Sequence, residues 1–301
     1  MRGVIVPTRI SKAFFHRVYY VLSMTRMPVV AGRFYEGTEE TLMPRLKDSF
    51  LKGMGPGELP DGPPGEKNEI KALIAPHAGY VYSGMTAAHA YLELFKDKVP
   101  EHLVILGPNH TGIGKTVAVC EEDWKTPLGL VSYDTELGPA IIQEDKYAQS
   151  DCIAHNSEHS IEVQLPFLQY IYGGLSFVPI CMGTQKYEIC ESLGKTLAKL
   201  SEEMEITIIA SSDFTHFESA ESAKKKDNQA MEYLEFLDAK GFLDFVTSHK
   251  VSICGAAPIA TATVFAKEMG ATRFNLLKYT NSGDVTGNKN DVVAYVAAEY
   301  I

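Results

Sequence analysis

The sequence predicts an α/β protein in which helices cover both faces of a sheet. Three observations carry this expectation. Apolar, β-branched runs alternate with longer helical patterns along most of the chain. Runs such as HLVILG (102–107) and ITIIAS (206–211) are apolar at nearly every position, as strands buried on both faces are. Polar clusters follow directly where those runs end, which is where ligands bind in open α/β sheets.

In chain order, the first helix is expected over Thr41–Lys52. Gly53–Lys67 (GMGPGELPDGPPGEK) is too rich in Gly and Pro for helix or strand. It is a surface loop rather than a domain boundary, because what precedes it is too short to build a core. Strand Lys71–Ala75 then leads to the small-residue helix Ser83–Phe95. Strands Leu103–Gly107 and Val117–Cys120 precede helices Thr135–Glu144 and Ser160–Ile171. Strand Phe177–Cys181, helix Glu188–Glu203 and strand Ile206–Ala210 repeat the alternation. Helix Ala220–Ala239, the Ala-rich helix Ala256–Met269 and strands Arg273–Tyr279 and Val292–Ala297 complete it.

The 301 residues would suggest roughly two domains from length alone, although single α/β domains of this size are common. A hydrophobic fraction of 45% with 22% charged residues argues against a disordered or fibrous chain. The net charge of −10 argues against a general nucleic-acid binder, which needs surplus Lys and Arg to meet phosphate. Residues 1–26 carry Arg2, Arg9, Lys12, Arg17 and Arg26 and no acid, leaving 23 basic against 38 acidic residues in the remainder. Three readings of this extension stay open: an upstream start with Met24 or Met27 as the natural beginning, an amphipathic helix over Ile10–Leu22, or a targeting peptide. The uncharged stretches Ala72–Leu92 and Val251–Ala266 are broken by Gly and Pro, so no membrane span is expected. The five cysteines, at 120, 152, 181, 190 and 254, form no CxxC pair. They fit a reducing cytoplasm, with four of them expected to be buried filler.

Three strands end in histidine-bearing segments: Pro76-His77-Ala78-Gly79-Tyr80, Pro108-Asn109-His110-Thr111 and Ser212-Asp213-Phe214-Thr215-His216. These are expected to be successive βα loops. One histidine after a strand is an ordinary structural residue; three in equivalent places point to a shared crevice, and neutral imidazole is the commonest metal-ligand side chain. Gly79 and Gly107 would let the backbone turn tightly there. A fourth cluster, His155–Glu162, offers Glu158 and His159, which near a helix N-terminus could point into one cavity. His155 and Glu162 have weaker claims and are expected on a solvated loop and a solvated helix face. Cys254 precedes a helix, whose N-terminal field should lower its thiol pKa. His89 is expected against the sheet, His102 at a strand start, and His16 and His249 on the surface. Asn109-His110-Thr111 matches a glycosylation pattern by chance, and Lys224–Lys226 is a short solvated run.

With those residues assembled, the chain resembles the Memo family, in particular the B component of the AmmeMemoRadiSam set. The blocks are AGRFY (31–35), IAPHAGYVYSG (74–84), LGPNHTG (106–112), TPLG (126–129), EHSIEVQLPFLQ (158–169), SSDFTHF (211–217) and ICGAAPI (253–259). The resemblance covers about residues 27–301, leaves 1–26 without a counterpart, and departs at Glu36, where the family often has Pro. It implies a single domain with a three-layer α/β/α sandwich around a mixed, mostly parallel sheet, similar to class III extradiol dioxygenases of the LigB type. It also implies a redox-active metal, iron or copper, on His77, His110 and Cys254. Asp213, His216 and His159 would line the same cavity, and the partners would be radical-SAM and AMMECR1-type proteins.

The ligand chemistry leaves two sets open. Two His with Asp213 would suit non-haem iron, whereas two His with Cys254 is softer and shifts the preference toward copper, or toward zinc, which ranks third. Four functions follow. The first is a Memo-type metalloprotein with redox or oxygen-linked chemistry. The second is an extradiol ring-cleaving dioxygenase on Fe(II), with His159 or His216 as acid–base. The third is a metal-dependent hydrolase with Glu158 or Asp213 as base. The last is a non-enzymatic module binding a peptide or small ligand, with Tyr80, Tyr82 and Trp124 as rim candidates, although core packing suits each of them better.

Overall fold

The computed structural model describes residues 25–301. The leader expected to form a helix over Ile10–Leu22 lies outside the described residues. The strands are β1 (Ala72–Ala75), β2 (His102–Pro108), β3 (Val117–Val119), β4 (Trp124–Thr126), β5 (Gly129–Tyr133), β6 (Ala148–Ser150), β7 (Ser176–Met182), β8 (Ile206–Ser211), β9 (Asp213–Glu218), β10 (Phe274–Asn281) and β11 (Val292–Tyr300). The sheet runs β10-β11-β1-β8-β2-β7-β3-β6, with β9 added on β11 and the β4–β5 hairpin joined through β7. Its centre, β1-β8-β2-β7, is parallel throughout, while β10 and β11 run antiparallel to their neighbours on that path and β3 runs antiparallel to β7 but parallel to β6. The sheet is therefore mixed, with a parallel core.

The alternation of side chains along the central strands creates the two apolar layers. Ala72, Ile74, Val104, Leu106, Ile206, Ile208 and Ala210 face one core. Leu73, Ala75, Leu103, Ile105 and Ile209 face the other. The first layer is closed by α5 (Tyr187–Leu200), α6 (Ala220–Glu235), α7 (Ala239–Ser248) and α8 (Ala256–Glu268), and the second by α1 (Glu39–Leu51), α2 (Tyr80–Asp97) and α4 (Leu165–Tyr172). In α8 every residue from Ala256 to Ala266 is buried, which its Ala and Thr content permits because small side chains let a helix lie close to the sheet. The remaining helices are α3 (Leu137–Glu144) and the single turn α9 (Gly283–Thr286). Among the described residues, no helix is long and apolar enough to cross a membrane.

Four sequence expectations need correction. Ala220–Ala239 is two elements: α6 ends at Glu235, Leu237 takes a left-handed φ of 52°, and Asp238 caps α7 by accepting from the Gly241 N–H. No Gly or Pro marks that break. The helix expected from Ser160 begins instead as a 3-10 turn over Glu162–Gln164 and becomes α4 only at Leu165, beside Pro166 in its first turn, where a missing N–H costs no hydrogen bond. The segment carrying Asp213 and His216 is not a βα loop but strand β9, because after Ser212 the chain turns to pair with β11. Finally, Cys120 and Cys152 are not filler but form a disulfide. Their strands explain it: β3 and β6 pair in parallel with Val119 opposite Ser150, so the residues that follow lie side by side.

Candidate metal centre

The C-terminal ends of the parallel strands β1, β2 and β8 converge on one crevice. His77 follows β1 and His110 follows β2, while Cys254 sits just before α8. One donor atom from each of His77, His110 and Cys254 lies within 4.8 Å of the other two. Two glycines allow this convergence through close approach rather than through turning. A Cβ on Gly107 would meet Ser160 Oγ at 2.5 Å, and one on Gly255 would meet the Ser211 carbonyl oxygen at 2.5 Å. Neither Gly79 nor Gly107 has a positive φ, so neither position needs glycine for a left-handed backbone.

Hydrogen bonding fixes which ring nitrogen of each histidine is available. Ser211 Oγ donates to the Ser160 carbonyl at 2.7 Å, so it must accept from His77 Nδ1 at 2.8 Å. That assigns the proton to Nδ1 and leaves the Nε2 lone pair directed at Cys254 Sγ, 3.2 Å away. Gln164 completes the support. Its Nε2 donates to Ser211 Oγ and the Pro76 carbonyl, while its Oε1 accepts from Tyr91. For His110, Nδ1 lies 2.9 Å from Glu158 Oε1, which leaves Nε2 as its donor atom. The same carboxylate accepts the backbone N–H groups of His110, His159 and Ser160.

Electrostatics follow from these partners. Burial lowers the His77 pKa well below the ordinary imidazole value, and the neighbouring His159 and His110 push the same way, so the ring is neutral. Burial alone would lower that of His110 too, but the Glu158 carboxylate outweighs it and raises the pKa. The Glu158 carboxyl is held well below the usual range: burial opposes ionisation, and His110 with the surrounding N–H donors overcomes it. The Cys254 thiol is raised, not lowered as expected. Burial and the nearby Asp213 carboxylate outweigh the donors at the helix start.

The other predicted residues surround the trio. Asp213 is buried, and its Oδ1 accepts the N–H groups of His77 at 2.8 Å and Ala78 at 3.3 Å; burial pushes its pKa up to about 6 against those donors. It thus braces the His77 loop and lies outside the three-donor group. His159 stacks on His110 with ring centroids 4.7 Å apart. His216 donates from Nδ1 to the Ser252 carbonyl at 2.8 Å. His77, His110, His159, Asp213 and His216 all line a cavity of about 690 Å³, to which Phe34, Tyr82 and Phe217 add aromatic walls. A second cleft of about 370 Å³, lined by Asn109, Lys115 and Pro258, reaches Cys254 from another side.

His155 and Glu162 are not solvated. Both are fully buried, His155 edge-on to Trp124 and bonded through Nε2 to the Ala118 carbonyl. Glu162 pairs with Arg26 and accepts from Tyr35 Oη and the N–H groups of Val29 and Val30. Arg26, counted with the basic leader in the sequence, also donates to the carbonyls of His155 and Glu158 and lies over the Trp124 ring. Trp124 and Tyr80 are core residues, whereas Tyr82 is 40% exposed. His89 bonds to the Met54 carbonyl, and His102 lies 2.7 Å from Asp134. Ser211, Gln164 and Arg26 were missed as supports, although Ser211 and Gln164 lie inside motifs already singled out.

The donor set fits a transition metal. Two oriented imidazole nitrogens and one sulfur suit iron, copper or zinc and not a hard cation such as calcium. Among the described residues, two further groups bring donor atoms equally close: His110 with Glu158 and His159, and Cys120 with Glu122 and Cys152. In the first, Glu158 is already consumed by N–H donors; in the second, the sulfurs are bonded to each other.

A family model described as "Memo-like protein" matches residues 26–299. A MEMO1 family protein of Methanopyrus kandleri is 43% identical over 281 residues, covering 91% of this chain and 98% of its own length. One from Sulfurisphaera tokodaii is 41% identical, covering 92% and 99%, and one from Thermotoga petrophila is 40% identical, covering 91% and 99%. Among solved structures, an uncharacterized protein from Escherichia coli K12 is similar at 12% identity and a TM-score of 0.49, covering 76% of this chain and 99% of that one.

Proposed function

We propose that this chain, which belongs to the Memo family, binds a redox-active transition metal through His77 Nε2, His110 Nε2 and Cys254 Sγ. The observation that carries this is the paired tautomer control. Both Nδ1 positions are tied to fixed partners, Ser211 and Glu158, the His77 Nε2 lone pair meets the Cys254 sulfur, and His110 belongs to the same close group. Partners of this kind around metal-binding imidazoles orient the rings and raise their basicity. Iron or copper suits the set ahead of zinc, because the reading is of redox or oxygen-linked chemistry, which zinc cannot perform.

When bound, the metal would supply electron transfer or Lewis acidity at the cavity floor. The chain's own residues would do the rest. Asp213 holds the His77 loop by its N–H groups. His159 and His216 face the cavity as proton carriers, and the aromatic walls exclude water from a small-molecule substrate. Action alongside radical-SAM and AMMECR1-type partners, and a cytoplasmic location, rest on the family resemblance. The extradiol dioxygenase alternative is disfavoured because it needs a carboxylate ligand, and Asp213 lies outside the group that His77, His110 and Cys254 form.

The test is anaerobic purification with metal analysis of the native chain, Cys254→Ser and Asp213→Ala. Loss of metal in Cys254→Ser, with retention in Asp213→Ala, is expected. Loss only in Asp213→Ala would favour the dioxygenase reading, and absence of any bound transition metal after loading would sink both.

A further inference from the structure

We infer that the Cys120–Cys152 disulfide is a redox-reversible clasp that sets the rigidity of the segment carrying Glu158 and His159. Cys120 is fully buried at the end of β3, whereas Cys152 is partly exposed, so Cys152 is the half of the disulfide that a reductant would approach. From Cys152 to Glu158 the chain has little slack. The His155 N–H donates to the Cys152 carbonyl at 3.1 Å, and the Glu158 N–H donates to the His155 carbonyl at 3.3 Å. These two successive turns link the disulfide to the carboxylate that orients His110.

The other ties of this segment to the body are non-covalent: Ala154 packs on Ala118 and Cys181, His155 packs on Trp124, and the rest are hydrogen bonds. The Asp151 N–H donates to Val119, the Lys115 N–H donates to Asp151 Oδ2, His155 Nε2 bonds to Ala118, and Arg26 holds the His155 and Glu158 carbonyls. The disulfide is the one covalent restraint among them. Breaking it leaves a short segment held by non-covalent contacts alone, and such segments open locally without global unfolding.

The reductant is a dithiol. Its thiolate attacks Cys152 Sγ, the S–S bond breaks, and Cys120 leaves as a thiolate that takes a proton. The reductant's second thiolate then attacks the mixed disulfide and releases Cys152. Two electrons pass to the protein sulfurs, and the dithiol departs as a cyclic disulfide.

The experiment compares air-oxidised protein, protein reduced and then freed of reductant under anaerobic conditions, and the double variant Cys120→Ser/Cys152→Ser. Alkylation after unfolding should count three thiols in the oxidised chain and five in the reduced one, from the five cysteines present. Amide exchange on metal-free protein should quicken about tenfold across residues 151–160 on reduction, and equally in the double variant, with the central strands unchanged. Affinity for Co²⁺, used as the probe, should weaken about tenfold in the same two samples, the order expected when a supporting partner of a ligand is loosened. Five alkylated thiols in the air-oxidised protein, or equal exchange in the oxidised and reduced forms, would overturn the clasp. The Co²⁺ arm rests on the metal reading above. Failure of Co²⁺ to bind the oxidised protein would count against that reading, while the exchange comparison decides the clasp without it.

Discussion

Glu158 Oε1 lies 2.9 Å from His110 Nδ1, and the same carboxylate gathers the backbone N–H groups of three residues. One buried anion therefore both orients a candidate ligand and shapes the loop beside it.

Glu158→Gln should separate those two roles. The amide can still accept from His110 Nδ1, but its N–H₂ group must face a donor at one of the backbone positions. Unfolding by urea should register a loss of about 2–4 kcal/mol. Co²⁺ affinity should fall about 10–100-fold. An unchanged affinity would mean that the negative charge of Glu158 does not support His110 as a ligand.

Metal binding should depend on pH in a stated direction. The raised Cys254 thiol must lose its proton to act as a ligand, and so must His110 when it is charged. Apparent Co²⁺ affinity should therefore rise about tenfold per pH unit across the neutral range, as one displaced proton requires, and more steeply where His110 is still protonated. A flat titration would exclude a thiol ligand.

Arg26 joins the N-terminal strand-like segment to the site through Glu162, His155 and Glu158. Arg26→Ala removes one member of a fully buried ion pair and should cost about 3–5 kcal/mol in a urea titration. Arg26→Lys keeps the charge but not the forked donor, so only partial recovery is expected. A loss under about 1 kcal/mol would show that Glu162 is satisfied by its remaining donors.

His155 makes the fold acid-sensitive. Burial lowers its pKa to about 4, even though the Ala118 carbonyl favours the charged ring. A base with a depressed folded pKa contributes stability that is present above its unfolded value, near 6.5, and is lost as pH falls through the folded one. The native chain should lose about 3 kcal/mol between those limits. His155→Gln, which can still donate to Ala118, should lack that component of the pH profile, as thermal unfolding at several pH values would read.

The sequence by itself determined the α/β class, most central strands and helices, and the placement of His77, His110 and Cys254 at the ends of elements. Those features are local: apolar runs, helical periodicity and polar residues directly after strands are written in consecutive positions. The tertiary structure decided what depends on residues far apart. It paired Cys120 with Cys152 through adjoining strands, of which β6 was not expected, and it turned the Asp213–His216 segment into a strand through pairing with β11. Burial reversed the expected direction for the Cys254 thiol, since desolvation outweighs a helix terminus. Long-range hydrogen bonds to Ser211 and Glu158 chose the histidine nitrogens. Strand register and desolvation are properties of the assembled core, so no local stretch of sequence carries them.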